Sequence, residues 1–304
     1  MGPTGAGKTA LAIDLCARGG FELVSVDSAQ VYRRMDIGTA KPDAATLARA
    51  PHRLLDIREP WETYSAAEFA ADAASQIGEI TARGHTPVLV GGTMLYFRAL
   101  IDGLAVLPDA DPEVRAALER EAERKGWPAL HDELARVDPA AAARIHRHDP
   151  QRIQRALEVF RITGQPLSRQ QAGKSGGISG NFQRLAVSPR ERRGLHGQIN
   201  NRFAAMLRLG FLDEVKALMS DPRLTAETPA MRAVGYRQAI THLAGHGSLD
   251  DLEARACAAT RQLAKRQLTW LRHLDDVSWL DPTEKSWKSA ARSQIARFLH
   301  TTVC

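Results

Sequence analysis

The chain has 304 residues, of which 44% are hydrophobic and 25% charged, proportions typical of a globular protein with room for one large domain or two. No apolar run approaches the ~18 residues of a membrane span and the N-terminus shows no signal-peptide pattern, which argues against a membrane protein and favours the cytoplasm. The three cysteines, Cys16, Cys257 and Cys304, include no C-x-x-C pair, which argues against a zinc site.

The formal net charge is +6, and the positive charge is concentrated in one part of the chain. Thirteen Lys and Arg residues stand against three acidic residues between Arg144 and Arg208, so the rest of the chain is net negative. This asymmetry favours a polyanion partner such as nucleic acid. On charge alone, a solvated basic face is an equally good interpretation.

The first nine residues match the phosphate-loop pattern G-x-x-x-x-G-K-[ST] at every fixed position. The glycines allow backbone N–H groups to converge on one anion, Lys8 adds a mobile positive charge, and the Thr9 hydroxyl can hold a Mg²⁺ ion. The apolar-periodic segment 10–16 predicts a helix whose N-terminus also favours negative charge. We therefore predict that a phosphate or pyrophosphate binds at Gly2, Pro3, Thr4, Gly5, Ala6, Gly7, Lys8 and Thr9.

A phosphate loop ordinarily follows a buried strand, whereas only Met1 precedes Gly2 in this sequence. We expect a native form to carry a preceding apolar segment of about five to eight residues, the usual strand length. Restoring such a segment is expected to change the melting temperature and the activity.

The apolar segment 21–26 predicts a buried strand that ends at Asp27 and is followed by the polar turn 28–30. Open α/β sheets bind their ligands at the carboxyl ends of the strands, so Asp27 is the best candidate for a general base. The alternative is that Asp27 only caps the following turn or holds Mg²⁺ through water.

Two further strands are predicted at 53–57 and 87–90, and the helix between them indicates a parallel sheet with crossover helices. Ser65 and Glu68 form a capping box that starts this helix. The second strand ends in Gly91-Gly92-Thr93, where a nucleotide hydrolase usually has a Mg²⁺-binding Asp. ATP hydrolysis is therefore disfavoured, and the Thr93 hydroxyl is expected in the ligand crevice.

The middle of the chain contains only helical patterns, which predicts an all-helical insertion in the α/β core. We assign 109–172 to this insertion, with 1–108 and 173–304 as the two parts of the core. The glycine-rich return segment 173–180 is expected to be a flexible linker on which the insertion swings.

Positive charge is concentrated on two predicted helices. One starts at Asp149-Pro150 and places Arg152 and Arg155 in its first turns, where their charge opposes the helix dipole. The other, 252–274, has an apolar arc and an opposite basic stripe that includes Lys265.

A second capping box is predicted at Ser188 and Glu191, in front of a helix that buries Leu195, Ile199, Phe203 and Met206. Arg202 lies one position off this apolar stripe. The spacing alone leaves open whether Arg202 enters the crevice or faces solvent.

These blocks resemble the tRNA dimethylallyltransferases, also called tRNA isopentenyltransferases, in their bacterial-length form. The resemblance extends from Gly2 to about Leu280, and the ordered set of motifs is specific. Its blocks are residues 2–9, 26–29 with 32–42, 91–96, 149–152, 232–237 and 260–267.

The resemblance implies a P-loop NTPase-like α/β fold. It also implies transfer of a dimethylallyl group from dimethylallyl pyrophosphate to the exocyclic N6 amine of the tRNA adenosine 3′-adjacent to the anticodon, with release of pyrophosphate. Lys8, the loop amides, Thr9 with Mg²⁺ and, by resemblance, Arg202 would stabilise the leaving pyrophosphate. Asp27 would accept the amine proton, and Thr93 would orient the base. A monomer is expected.

The resemblance also assigns contacts with the tRNA anticodon stem-loop to a larger set of residues. These are Asp27, Ser28, Ala29, Gln30, Thr93, Arg115, Gln151, Arg152, Ile153, Gln154, Arg155, Arg232, Ala233, Val234, Gly235, Tyr236, Arg237, Lys265, Arg266, Gln267, Leu268, Thr269, Trp270, Leu271 and Arg272.

Two other functions remain compatible with the residues themselves. The first is an ATP-dependent small-molecule kinase of the P-loop class, in which Asp27 activates a substrate hydroxyl. The second is an RNA-binding module without catalytic activity.

Overall fold

The structure is a computed structural model that describes residues 1–171 and 173–302. The predicted boundary residue Ala172 and the cysteine at 304 lie outside the described residues. Cys16 and Cys257 are free thiols. No helix in the described residues is long and apolar enough to cross a lipid bilayer.

The chain divides into two compact units. The first unit comprises Met1–Leu100 together with the chain from Ser179 onward, and the second comprises Ile101–Ile178. The second unit therefore extends beyond the predicted insertion, 109–172, at both ends.

The first hundred residues alternate helices with parallel strands. The strands pair in the order β2-β1-β3, which confirms the predicted parallel sheet with crossover helices. Its elements are α1 (Lys8–Cys16), β1 (Phe21–Val26), α2 (Ala44–Arg49), β2 (His52–Arg53), α3 (Ala66–Ala82), β3 (Thr86–Gly91) and α4 (Met94–Asp102). The predicted capping box is confirmed at the start of α3, where the side chains of Ser65 and Glu68 each accept a hydrogen bond from the other residue's backbone N–H.

The strand predicted at 53–57 is wrong in extent, because β2 contains only two residues. Leu54 and Asp56 have φ angles of 62° and 54°, in the left-handed region that a strand cannot accommodate. The Lys41 ammonium lies 2.6 Å from the Asp56 carboxylate and stabilises this irregular segment. A short run of apolar residues therefore forms a loop after the strand.

The second unit is built from helices and one short strand pair. Its elements are β4 (Leu104–Ala105), α5 (Pro112–Lys125), α6 (Trp127–Val137), α7 (Pro139–Ala142), α8 (Pro150–Thr163), α9 (Leu167–Gln170) and β5 (Lys174–Ser175). β4 and β5, which flank the helices in the chain, pair with each other in antiparallel fashion, so this unit exceeds its predicted bounds. Residues 174 and 175 of the predicted flexible linker are therefore part of a strand pair. The helix start predicted at Asp149-Pro150 is confirmed, since Asp149 accepts from the amide of Arg152, and Asp111 caps α5 in the same way by accepting from the amide of Val114.

A fully buried carboxylate, Glu158, lies inside the helical unit. It accepts hydrogen bonds from Arg115 (2.8 and 3.2 Å), from Arg155 (2.7 Å) and from the Asp111 amide (2.9 Å). Burial raises the pKa of Glu158, but these hydrogen bonds outweigh burial and hold the pKa below its usual range. The carboxylate thus holds α5 and α8 together through hydrogen bonds.

We expect Glu158→Leu to lower the free energy of unfolding by about 3 kcal/mol, because it leaves two guanidinium groups without their shared partner. Urea denaturation measures the loss. Because the pKa of Glu158 is lowered on folding, its stabilisation is present at neutral pH and is lost as the pH falls through that lowered pKa. The control Glu123→Leu, at an exposed position of α5, should stay within about 0.5 kcal/mol of the native chain; equal losses for both variants would contradict the assignment.

The remainder of the first unit contributes a second parallel strand pair and five helices among the described residues. These elements are β6 (Arg184–Val187), α10 (Arg192–Arg208), α11 (Phe211–Met219), α12 (Tyr236–Leu243), α13 (Leu249–Arg272), β7 (Val277–Leu280) and α14 (Trp287–Thr302). Met1 lies beside β6, where its amino group donates to the Leu185 carbonyl and its own carbonyl accepts from the Val187 amide. Side chains of α1 and α14 cover one face of this strand pair.

The predicted capping box at Ser188 is wrong. The Ser188 hydroxyl donates to the Pro189 carbonyl instead, and α10 starts at Arg192 without a side-chain cap. The amide of Ser188 donates to the Leu280 carbonyl and that of Arg190 to the Asp281 carboxylate. Contacts with the end of β7 therefore take the place of a local cap.

Candidate active site

The phosphate loop, Gly2–Thr9, leads directly into α1. Gly7 precedes the helix with a φ of 84°, a conformation that favours glycine. Gly2 approaches β6 so closely that a Cβ would collide with the Val187 carbonyl oxygen. The amides of Gly5, Gly7, Lys8 and Thr9 donate no hydrogen bond to any residue that the structure describes, so they are available to an anion.

The Lys8 ammonium donates to the Pro3 carbonyl at 2.7 Å, which holds the side chain over the loop. Burial lowers the pKa of Lys8 to about 8, while the negative charge of Asp27 opposes the shift and the positive charge of Arg202 adds to it. Asp27 and Arg202 therefore act on the electrostatics of the loop. A bound anion would restore the charged form of Lys8.

We expect the affinity for inorganic pyrophosphate to fall as the pH rises from 7 to 9. With a pKa of about 8, Lys8 keeps its charge at pH 7 and loses most of it at pH 9. Folding stability should change in the opposite sense: it should rise with pH above 8, because the unfolded chain then binds the proton that the folded chain has released. Titration calorimetry measures the affinity, and Lys8→Met should bind weakly without this decline; a native affinity that is constant over the range would contradict the role of Lys8.

Asp27 follows β1 and opens the β1 turn, which we define as residues 27–30. Its Oδ1 accepts hydrogen bonds from the amides of Ala29 (2.9 Å) and Gln30 (3.3 Å), so Asp27 does cap the turn. Its Oδ2 accepts none from the residues that the structure describes. One carboxylate can therefore hold the turn with one oxygen and accept a proton with the other.

Thr93 links the β1 turn to the end of β3. Its Oγ1 accepts from the Ser28 amide at 3.0 Å and donates to the Ser28 hydroxyl at 3.3 Å. At the end of β3 itself no side chain fits, since a Cβ at Gly91 would collide with the carbonyl of Val26. The position where a nucleotide hydrolase has its Mg²⁺-binding Asp is therefore closed in this chain.

Arg202 reaches inward from α10, which answers the question that the spacing left open. Its Nη2 donates to the Thr39 carbonyl at 3.2 Å. The side-chain Nε2 of Gln30 donates to the same carbonyl and to that of Ala40. Burial lowers the pKa of Arg202, and the nearby Asp27 charge opposes that shift. Arg202 thus supplies a second cation beside Lys8.

Glu214 on α11 is a site-supporting residue that the sequence analysis missed. Its carboxylate accepts hydrogen bonds from the three successive amides of 36–38, at 2.7 to 3.0 Å, and from the Tyr236 hydroxyl at 2.6 Å. Glu214 therefore fixes the loop 36–41, whose carbonyls hold Arg202 and Gln30.

Gln267 on α13 bonds to the phosphate loop and to the segment that follows β3. Its Oε1 accepts from the Thr4 amide at 2.9 Å, and its Nε2 donates to the Gly92 carbonyl at 2.8 Å. The side chain is buried. The amide that the motif assigned to tRNA is therefore bonded to the phosphate loop and to the segment after β3.

The other motif residues of the first unit separate into exposed and buried groups. The exposed ones are Arg232, Arg237, Lys265, Arg266, Thr269, Trp270 and Arg272, and the partly buried ones are Ala233, Val234 and Leu268. Buried positions are Gly235, Tyr236, Gln267 and Leu271. The last three side chains pack against the core from one face of their helices, and the tRNA contacts assigned to them stay predictions.

In the helical unit, Gln151 and Arg152 are exposed at the start of α8, whereas Ile153 belongs to the core and its tRNA contact stays a prediction. Arg115 and Arg155 hold Glu158. Gln154 donates to Glu119 at 3.0 Å. Arg152 pairs with Asp149 at 3.5 Å, so four of the polar side chains assigned to RNA in this unit also make internal contacts.

The site has the chemistry to hold a phosphorylated ligand with Mg²⁺. The Thr9 side chain is exposed and makes no hydrogen bond within the described chain, which fits a Mg²⁺ ion that completes its coordination with phosphate oxygens and water. Free loop amides, two cations and a carboxylate at the end of the neighbouring strand define an α/β phosphate-loop enzyme that acts on a phosphorylated substrate.

Comparison with known proteins identifies the family. The model of the IPP transferase family matches residues 30–274. The tRNA dimethylallyltransferase of Stenotrophomonas maltophilia (strain K279a) is 58% identical over 290 residues, which cover 93% of this chain and 91% of that protein. The enzyme of the same name from Thiobacillus denitrificans is 56% identical over 98% of this chain and 96% of its own length. The chain belongs to the IPP transferase family, a family of tRNA dimethylallyltransferases.

Solved structures agree with this family and with the predicted fold class. The full-length tRNA isopentenylpyrophosphate transferase from Bacillus halodurans matches with a TM-score of 0.69 and 36% identity, covering 99% of this chain and 94% of that one. A eukaryotic dimethylallyltransferase acting on tRNA matches with a TM-score of 0.79 and 27% identity, over 97% of this chain and 76% of that one.

Proposed function

We propose that this enzyme transfers a dimethylallyl group from dimethylallyl pyrophosphate to the N6 amine of the tRNA adenosine 3′-adjacent to the anticodon. The observation that carries the proposal is the pairing of a cationic phosphate loop with Asp27, while Gly91 closes the position of a hydrolase Asp. The membership of the family supports it over the kinase alternative. The name of the eukaryotic structural neighbour supports tRNA as the acceptor.

In the transfer step, the adenine N6 attacks the allylic carbon that carries the diphosphate. A nitrogen–carbon bond forms, the carbon–oxygen bond breaks, and the electron pair leaves with pyrophosphate. Negative charge grows on the departing oxygen, so donors that are already in position lower the barrier. Lys8, Arg202 and the free loop amides are these donors.

The amine must lose one proton after it becomes positively charged. The free Oδ2 of Asp27 accepts this proton, while Oδ1 keeps the β1 turn in place. The Thr93 hydroxyl, bonded to Ser28, orients the adenine next to the carboxylate. When bound at Thr9, Mg²⁺ supplies further positive charge to the diphosphate.

The adenine must leave its stack to reach this site, at a cost of a few kcal/mol. Contacts with the anticodon stem-loop offset that cost. Each unit offers exposed cations for them, Arg152 on α8 and Lys265, Arg266 and Arg272 on α13. Such side chains act mainly on phosphates, which position the RNA without specifying its sequence.

Incubation with radiolabelled dimethylallyl pyrophosphate, or with labelled ATP, in the presence of bulk tRNA tests this function. We expect prenyl label in tRNA and none in a stem-loop whose target adenosine is replaced by guanosine, which lacks the N6 amine. Phosphate transfer from ATP to a small acceptor would support a kinase instead. Binding of tRNA without any transfer would support an RNA-binding module. Cytoplasmic location and a monomeric state are part of the proposal, and light scattering of the purified enzyme tests the latter.

A further inference from the structure

The side chain of Gln267 links two segments of the proposed site, the phosphate loop that would hold the prenyl donor and the end of β3 that would hold the adenine. Its two hydrogen bonds join Thr4, 263 positions away in the phosphate loop, with Gly92, the residue before Thr93. The amide is only 9% exposed. No other side chain in the described chain bonds to the backbone of both segments.

The primary amide of Gln267 supplies the acceptor and the donor that these two contacts need. The Thr4 N–H requires an acceptor and the Gly92 carbonyl requires a donor, which also fixes which end of the amide is oxygen. The side chain is in close contact with Gly92, where a Cβ would collide with Nε2. Apolar or ionised residues of similar size would leave at least one buried backbone group unpaired.

The helix that carries Gln267 also presents exposed cations to solvent. Lys265 and Arg266 precede it directly, whereas Ala264 and Leu271 lie with it on the buried face. α13 therefore has an exposed basic face suited to RNA phosphates. The next residue after Arg266, Gln267, is bonded to the phosphate loop and to the segment after β3.

We propose that Gln267 is a positioning residue that sets the separation between the diphosphate loop and Thr93. This inference rests on the proposed function. Gln267 touches neither reacting atom. It acts through Thr4 on the loop that holds the leaving group and through Gly92 on the residue that orients the base.

The test uses Gln267→Leu, which removes both bonds at similar volume. We expect kcat at saturating tRNA and prenyl donor to fall about 10- to 100-fold, since a misplacement of about 1 Å costs this much. The Kd for tRNA should stay within about twofold. The matched control is Gln262→Leu, at an exposed position five residues earlier in α13, whose kcat should equal that of the native enzyme.

A second variant separates positioning from simple packing. Gln267→Glu retains an acceptor for Thr4 but can donate to the Gly92 carbonyl only when its carboxyl is protonated. Its activity relative to the native enzyme should therefore recover as the pH falls from 8 to 6, whereas that of Gln267→Leu should not. A merely structural role would give no such pH-dependent recovery.

Two results would overturn the inference. One is a Gln267→Leu variant with native kcat and a raised Kd for tRNA, which would make Gln267 a direct RNA contact. The other is a loss of kcat that tracks the loss of folded protein by circular dichroism, without acid recovery in Gln267→Glu. Native enzyme that transfers no prenyl group to tRNA would refute the proposed function itself, and this is measured first.

Discussion

Asp27→Asn is expected to lower the rate of prenyl transfer by about 10²- to 10⁴-fold, the usual contribution of a general base. The asparagine oxygen still accepts from the Ala29 and Gln30 amides, so the β1 turn keeps its shape. What is lost is the basic oxygen that receives the amine proton. Single-turnover transfer of labelled prenyl group to tRNA measures the rate.

The Kd for tRNA provides the control for this variant, and it should remain within about twofold of the native value. Asp27→Ala loses the base and the cap together, so it should show at least the same kinetic defect and a lower melting temperature, because caps contribute about 1 kcal/mol. Native turnover in Asp27→Asn would remove Asp27 as the base and leave it as a cap only.

Lys8→Met is expected to lower kcat/KM for the prenyl donor by about 10²- to 10³-fold, the effect of deleting one preorganised electrostatic group. Its melting temperature should equal or exceed that of the native enzyme. Burial already lowers the pKa of Lys8 to about 8, which means that the fold carries this ammonium at a cost. Steady-state kinetics and differential scanning calorimetry measure the two effects.

Lys285→Met is the matched control, because Lys285 is exposed in the same unit. Its kcat/KM should be native. A Lys8→Met enzyme that loses stability in step with activity would indicate that Lys8 holds the loop together rather than serving the ligand.

Local features of this fold could be predicted from the sequence where the responsible residues are neighbours in the chain. The helix start at Ser65 depends on two side chains three residues apart, and it is correct. The pattern at Ser188 is equally good, yet it fails because the end of β7, about ninety residues away, supplies the bonds instead. No spacing rule contains that information.

In the site, too, features that depend on neighbouring residues could be predicted and those that depend on distant residues could not. The phosphate loop and Asp27 follow from contiguous motifs, and the structure adds how they are supported. Glu214 could not be predicted, because a carboxylate on an amphipathic helix is ordinarily exposed and its amide partners lie 176 to 178 positions away. Gln267 did leave a signal that the motif obscured: it is a polar residue in the buried register of α13, between Ala264 and Leu271.

The bonds of Glu214 also determine when the site can mature during synthesis. The loop 36–41 leaves the ribosome long before α11, so its three amides have no carboxylate to meet until the second half of the chain has been translated. In nascent fragments that end before α11, the loop that contacts Arg202 therefore lacks the hydrogen bonds that fix it, and the site can be completed only after α11 has been made.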